Sequence, residues 1–280
     1  MSRHDVRRPS AGSLDRRRVG RVHGVLAVVV TILGSVGATP AAAQAAEAAP
    51  RSRFFVSVEG DLSWQSRNDV RIPGDTGTKF SLADFGHGPF PTFRFYAGHV
   101  WNGRHEVRLL AAPLALDLNG TFDAPVSFEG ETFAADTPTA AYYRFSSYRA
   151  TYAYHFRPLA GWRLSAGLTA KLRDAEVRLE QAGRRESKTI LGFVPLLNVR
   201  AARDLGAQWT LRFDLDGLAA PQGRAFDGSL LFERPVYRGA DGRTLHLFTG
   251  YRTVEGGADN DEVYTFAWLH KAVLGLRAEF

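Results

Sequence analysis

The chain has no cysteine among its 280 residues. That excludes a disulfide framework and a thiolate metal site. Its single methionine is the first residue. After residue 45 no apolar run reaches the roughly 20 residues that a helix needs to cross a bilayer. Charge of one sign is also scarce once the N-terminus is set aside. Residues 1–45 hold seven Arg and two Asp, so they carry +5 of the formal +6 and leave +1 for the rest. A balance so near neutral gives no reason to expect a nucleic-acid partner.

The N-terminus is basic at Arg3, Arg7, Arg8, Arg16, Arg17, Arg18 and Arg21, and the apolar stretch "GVLAVVVTILGSVGA" follows. Small residues then stand at a cleavage spacing in "TPAAAQA". This order predicts a secretory signal over residues 1–45, cut after Ala43 or Ala45. The apolar stretch is too short for a transmembrane helix. Residues 46–280 form the exported domain.

Aromatic residues are plentiful, 12% of the chain, and they alternate with polar ones. In "QWTLRFDLDG" (residues 208–217) Trp209, Leu211, Phe213 and Leu215 oppose Thr210, Arg212, Asp214 and Asp216. Strict alternation marks a strand with one apolar and one polar face. The same pattern recurs in ten segments. They begin with "FFVSVEGDLSW" and "PTFRFYAGHVW", and they end with "VYTFAWLHKAVLGLRAEF". Asn102-Gly103 reads as a hairpin turn. Pro113 marks an irregular point in the third segment. Past Asp174 the apolar phase of the fifth changes, which predicts either a bulge or a strand rising above an apolar zone. The stretches near residues 66–89 and 119–139 read as long loops. "QAGRRESK", "GLAAPQGR" and "EGGADNDE" read as moderate ones. Connections after even-numbered strands are short.

This asymmetry suits a transmembrane barrel with short periplasmic turns and longer outer loops. The expected fold is all-β: a closed antiparallel up-and-down barrel of ten strands, with eight and twelve the neighbouring even solutions. Closure satisfies every backbone hydrogen bond in lipid. The last strand places Tyr264, Phe266, Trp268, Ala272, Leu274, Leu276, Ala278 and Phe280 on one face, interrupted by His270. Ending on Phe280, it resembles the targeting signal of bacterial outer-membrane barrels. With the signal peptide and the alternating strands, the whole exported chain resembles small outer-membrane β-barrel proteins of the eight- to ten-stranded class. That resemblance implies the outer membrane of a Gram-negative bacterium. It also implies contact with the bilayer and lipopolysaccharide, and the barrel assembly machinery as a partner during biogenesis. It transfers no activity.

Alternation predicts an inward set of charges: Glu59, Asp61, Arg94, Arg149, Arg163, Lys171, Arg200, Arg212, Asp214, Asp216 and Arg277, with His155, Arg173 and Glu279 in the same phase. Small barrels fill their interior with side chains, and opposite charges enclosed together satisfy one another. The set therefore reads as an ionic plug, with a narrow ion or solute pore as the alternative. Trp64, Trp101, Trp162, Trp209 and Trp268 read as aromatic girdles at the two membrane interfaces. Asp259, Asp261 and Glu262 offer oxygens to Ca²⁺ but lack the full spacing of a calcium loop, so a solvated turn is expected and no metal or cofactor. His87 with Asp84, and His270 on the lipid side, are the histidines that an enzyme of this class would use. No serine neighbours His270 in its own strand. The expectation is a non-enzymatic barrel acting through its outer loops or as an envelope structural protein. A lipid A hydrolase or an omptin-like protease is the remaining alternative.

Overall fold

The computed structural model describes residues 52–280. The expected signal peptide and its cleavage point lie outside the described residues. Fourteen strands and one short 3-10 helix follow in order. β1 (Ser52–Arg71) and β2 (Phe80–Ser81) precede the helix (Leu82–Phe85), and β3 (Phe90–Trp101) follows it. Next come β4 (His105–Ala112), β5 (Ala115–Gly120), β6 (Val126–Phe128) and β7 (Glu131–Phe133). β8 (Thr139–His155), β9 (Trp162–Gln181), β10 (Arg184–Gly206) and β11 (Trp209–Ala220) continue the chain, and β12 (Gly223–Arg238), β13 (Thr244–Asp259) and β14 (Tyr264–Glu279) complete it.

Ten walls make the barrel. They are β1, β3, β4 continued by β5, and β8 to β14, each antiparallel to its neighbour. β14 pairs with β1 from Phe55↔Glu279 to Arg71↔Tyr264, which closes the sheet. Backbone bonds between Phe54 and Phe280 finish the seam, at 2.9 and 3.3 Å. Pro113 has no N–H to give, and it falls in the break between β4 and β5. Asn102 and Gly103, both at positive φ, turn β3 into β4.

The outside of the barrel is apolar. Val58 and Leu62 on β1, Phe95 on β3, Leu168 on β9, Phe193 on β10, Phe232 on β12 and Leu274 on β14 all stand exposed. A belt of this kind around every wall is far larger than a soluble monomer tolerates in water. At the level of this belt charged residues point inward instead. This is the arrangement of a bacterial outer-membrane β-barrel: apolar surface toward lipid, polar lining, and no open sheet edge.

Three of the expected loops are strand. "QAGRRESK" contributes only Ala182 and Gly183 to a turn, at φ 49 and 81, and β9 and β10 run past it on both sides. Residues 221–222 alone connect β11 to β12, and residues 255–259 belong to β13. The reason is visible in β9. Its pairing with β8 and β10 shows no register shift through Asp174, so no bulge occurs there. The inward side simply changes from Thr169 and Lys171 to Val177 and Leu179, and the outward side becomes charged. The strand has risen out of the lipid zone. At ~3.3 Å per residue and ~40° tilt, the 23 residues of β10 rise about 58 Å, roughly twice the apolar band of a barrel of this kind.

Candidate functional site

The lumen holds two layers. The lower one is ionic and centres on Asp227 of β12. Its carboxylate accepts from Arg94 at 2.8 Å, Arg149 at 2.7 Å and Arg252 at 2.7 Å. Arg252 also forks onto Glu59 at 2.8 and 3.0 Å. Asp216 accepts from Arg149, Thr169 and Asn198, each at 2.8 Å. Arg108 reaches Asp214 at 2.5 Å, Arg200 reaches Glu106 at 2.7 Å, and Lys271 reaches Asp61 at 2.8 Å. Arg212 pairs with Glu233, and Arg277 with Glu279. These bonds tie walls that are far apart in sequence across a buried interior, where a charged hydrogen bond is strong and an unpaired charge costly.

Of the residues expected inside, Glu59, Asp61, Arg94, Arg149, Lys171 and Asp216 are buried, and Arg200, Arg212, Asp214 and Arg277 are partly buried. Arg163 is a correction. It keeps the inward phase but sits at the short-turn rim, where the barrel opens to water. Its side chain is 49% exposed and pairs there with Asp204 at 2.6 Å. His155 accompanies Glu106 near the same end, at 2.9 Å. The centre of the layer, Asp227 with Arg252, was missed. The alternation in "AFDGSL" and "GYRTV" would have placed both inward.

Lys171 differs from its neighbours. It is buried, and among the described residues it forms no ion pair; its ammonium lies 5.2 Å from the Phe145 ring centroid. It lines a void of about 20 Å³ beside Arg94, Arg149 and Lys271, room for a single water.

Above the ions lies an apolar plug that the sequence reading did not anticipate. The long connections fold into the mouth instead of extending from it. Leu82 and Phe85 of the 3-10 helix, with Phe122, Val126, Phe128 and Phe133 of the second connection, pack on Val70, Leu116, Leu118, Tyr143, Leu179 and Leu269 of the walls. Ser81 caps the helix, and Gln65 on the inner wall donates to Leu82 O at 3.1 Å. The two connections bond to each other through Thr78 N to Ser127 O at 2.9 Å and Glu129 N to Ile72 O at 3.2 Å. Gln181 clasps Ala134, donating at 3.0 Å and accepting at 2.7 Å. His87 is held in this packing, with Nδ1 3.1 Å from Gln65 O.

The lipid-facing wall has its own cluster at the β1–β14 seam. The pairing slips between Gln65 and Arg67, so Ser66 is an extra residue that stands outward. Ser66 Oγ lies 2.8 Å from Nε2 of His270. The opposite ring nitrogen, Nδ1, lies 2.6 Å from the hydroxyl of Tyr251 on β13. Trp64 sits directly across from His270 in the register, and the Trp268 ring lies 5.3 Å from the imidazole. Just beyond, toward the long-loop end, Arg67 and Arg224 lie over Phe266 at 5.2 and 4.8 Å, and Arg71 and Lys79 each over Tyr264 at 5.2 Å.

The other tryptophans flank the short-turn rim. Trp101 stacks on His105 at 5.5 Å, Trp162 lies under Arg203 at 5.4 Å, and Trp209 under Arg234 at 5.4 Å. In the acidic turn Asn260 Oδ1 accepts from the backbone of Glu262 and Val263 at 3.1 and 2.9 Å. Among the described residues no group of three or more acidic or histidine side chains gathers as a metal site.

No protein-family model matches the chain, and no curated protein matches it. Solved structures similar to it are barrels. The attachment invasion locus protein Ail of Yersinia pestis is 10% identical over 82% of this chain and 99% of its own, with a TM-score of 0.38. The outer membrane protease OmpT of Escherichia coli is 7% identical over 82% and 98%, with a TM-score of 0.45. The toluene transporter TodX of Pseudomonas putida is 8% identical over 82% and 90%, with a TM-score of 0.31. At these identities the likeness is of architecture and transfers no activity.

Proposed function

We propose that the protein is a sealed outer-membrane barrel that works at its outer wall and rim, not through its lumen. In this reading residues 1–45 direct export and are removed after Ala43 or Ala45. The short turns face the periplasm, where Trp101, Trp162 and Trp209 mark the interface; Trp64 and Trp268 mark the outer one. Phe280, whose backbone closes the seam, is the C-terminal residue of the targeting signal that the assembly machinery reads. Lipopolysaccharide surrounds the extended outer strands.

The observation that carries the reading is the double seal. The Asp227 network bonds opposite walls to each other at the level of the apolar belt, and the Phe128 plug closes the mouth above it. A pore needs a continuous file of water, and the void beside Lys171 has room for one molecule. Most of the inward charges serve each other, Lys171 and Arg173 excepted, and such pairing favours a plug over a selective path. The long connections are packed inward, so the surface left for a partner is the outer wall and the strand tips.

Protein purified from outer membranes after expression of the full-length chain should give no steady current in a planar lipid bilayer. Insertion is checked by heat-modifiable gel migration. Replacing Arg212 and Asp214 together by alanine should leave the bilayer silent, because the Asp227 cluster lies between other walls. A salt-dependent current through the unaltered protein would overturn the reading in favour of a pore.

A further inference from the structure

We infer that the seam cluster is a hydrolytic site, in which Ser66 and His270 cleave acyl esters of a phosphate-bearing lipid in the outer leaflet. The inference rests on the sealed-barrel reading, since it needs the outer wall to face lipid.

The geometry is that of an activated hydroxyl. Ser66 Oγ at 2.8 Å from Nε2 can pass its proton to the imidazole, and Tyr251 at 2.6 Å from Nδ1 fixes the ring. The working tautomer carries its proton on Nδ1, which donates to the Tyr251 hydroxyl oxygen and leaves Nε2 free to accept. Three walls supply the three groups, β1, β14 and β13. Two are on the pairing that closes the barrel. The bulge is a second, independent observation. Ser66 is the one residue that the β1–β14 register leaves over, and bulges re-aim side chains in this manner.

Depth selects the substrate. Ser66 stands twelve residues above Phe54, about 30 Å along the wall at ~3.3 Å per residue and ~40° tilt. The apolar band of such barrels is ~25 Å tall. The hydroxyl therefore meets the bilayer where acyl chains join their headgroups, which is where ester carbonyls lie. Immediately above, Arg67 and Lys79 pair with Asp69 at 2.8 and 3.1 Å and Arg224 with Glu255 at 2.5 Å, while Arg71 lies over Tyr264, whose register partner on β13 is Asp259. The guanidinium and ammonium groups of these basic residues are donors that a lipid phosphate can engage.

The chemistry balances without a redox partner. Ser66 Oγ attacks the carbonyl carbon as its proton moves to His270 Nε2. The tetrahedral adduct collapses, the ester C–O bond breaks, and the alcohol leaves with that proton. Water then attacks the acyl-serine, giving its proton to His270, and the fatty acid departs as Ser66 recovers its own. The sum is ester plus water to acid plus alcohol.

The test incubates the purified, folded barrel with lipopolysaccharide, with phosphatidylglycerol vesicles and with a neutral nitrophenyl acyl ester, and measures released fatty acid by mass spectrometry. Release from either phosphate-bearing lipid is expected, and which one releases it identifies the source. Ser66→Ala and His270→Asn should each lower the rate by at least about 100-fold. A fluorophosphonate should label Ser66, mapped by peptide mass. Tyr251→Phe should lower kcat with KM unchanged, as expected of a positioning residue. Arg67→Gln with Arg224→Gln should raise KM for the phosphate-bearing lipids by a larger factor than for the neutral ester. No release from any of the three by a folded barrel, or release that persists in Ser66→Ala, overturns the inference. The same preparation on a planar bilayer separates the two failures: silence with no hydrolysis sinks only the inference, and steady current sinks the sealed barrel beneath it.

Discussion

Replacing Asp227 by alanine should be the most damaging single change in the wall, lowering the thermal midpoint by roughly 6–20 °C. Three guanidinium groups converge on its carboxylate at 2.7 to 2.8 Å, and its side chain is 3% exposed. Removing one partner of a buried ion pair costs about 3–5 kcal/mol, because the remaining charge has neither water nor a counter-ion. Here three charges are left at once, although Glu59 still accepts from Arg252 and Asp216 from Arg149. At about 2–4 °C per kcal/mol for a chain of this size, the loss becomes the quoted shift. Lys171 provides the internal comparison. Among the described residues it has no carboxylate partner, so Lys171→Met removes a buried charge that nothing offsets and should leave the midpoint unchanged or raised. Both can be read from the temperature at which the folded gel band converts to the unfolded one. Equal shifts for the two variants would show that the network is not what holds the walls together.

The sequence was most legible where the physics is local. Strict alternation at Trp209, Leu211, Phe213 and Leu215 needs only the pleat of one strand. Ten such segments in a cysteine-free exported chain leave few folds other than a closed barrel. The change of phase past Asp174 was legible as well, and the structure selects the rising strand over the bulge. What stayed hidden depends on partners across the sheet. Asp227 and Arg252 alternate like their neighbours, but the convergence of Arg94, Arg149 and Arg252 on Asp227 is set by barrel curvature. Ser66 and His270 are 204 residues apart, and only the β1–β14 register with its one-residue slip makes them neighbours. The apolar plug was illegible for another reason. Phe122, Phe128 and Phe133 follow no period of two or 3.6, since irregular loops present side chains by their turns. Long connections rich in polar residues read as solvated, and here the few apolar ones decide the packing.

That packing gives the second large effect. Phe128→Ala should free the second connection while the barrel stays closed. Phe128 is fully buried, with the Phe80 and Phe133 rings at 6.2 and 6.3 Å. β6 and β7 have three residues each, and so short a hairpin has no stability of its own. Its order comes from the side chains it inserts. Truncating a buried Phe costs about 3–5 kcal/mol, which raises the opened fraction of the segment roughly 100- to 4,000-fold. Glutamyl endopeptidase should then cut at Glu129 and Glu131 much faster than in the intact protein. The thermal midpoint of the barrel should barely move, because the ionic layer lies below and shares no bond with Phe128. Whole-barrel melting in place of local cleavage would mean that plug and wall form one cooperative unit. The same variant also separates the two seals. If the ionic layer closes the lumen unaided, Phe128→Ala stays silent in a planar bilayer; if current appears, the apolar plug is the gate and the charges beneath it line a passage.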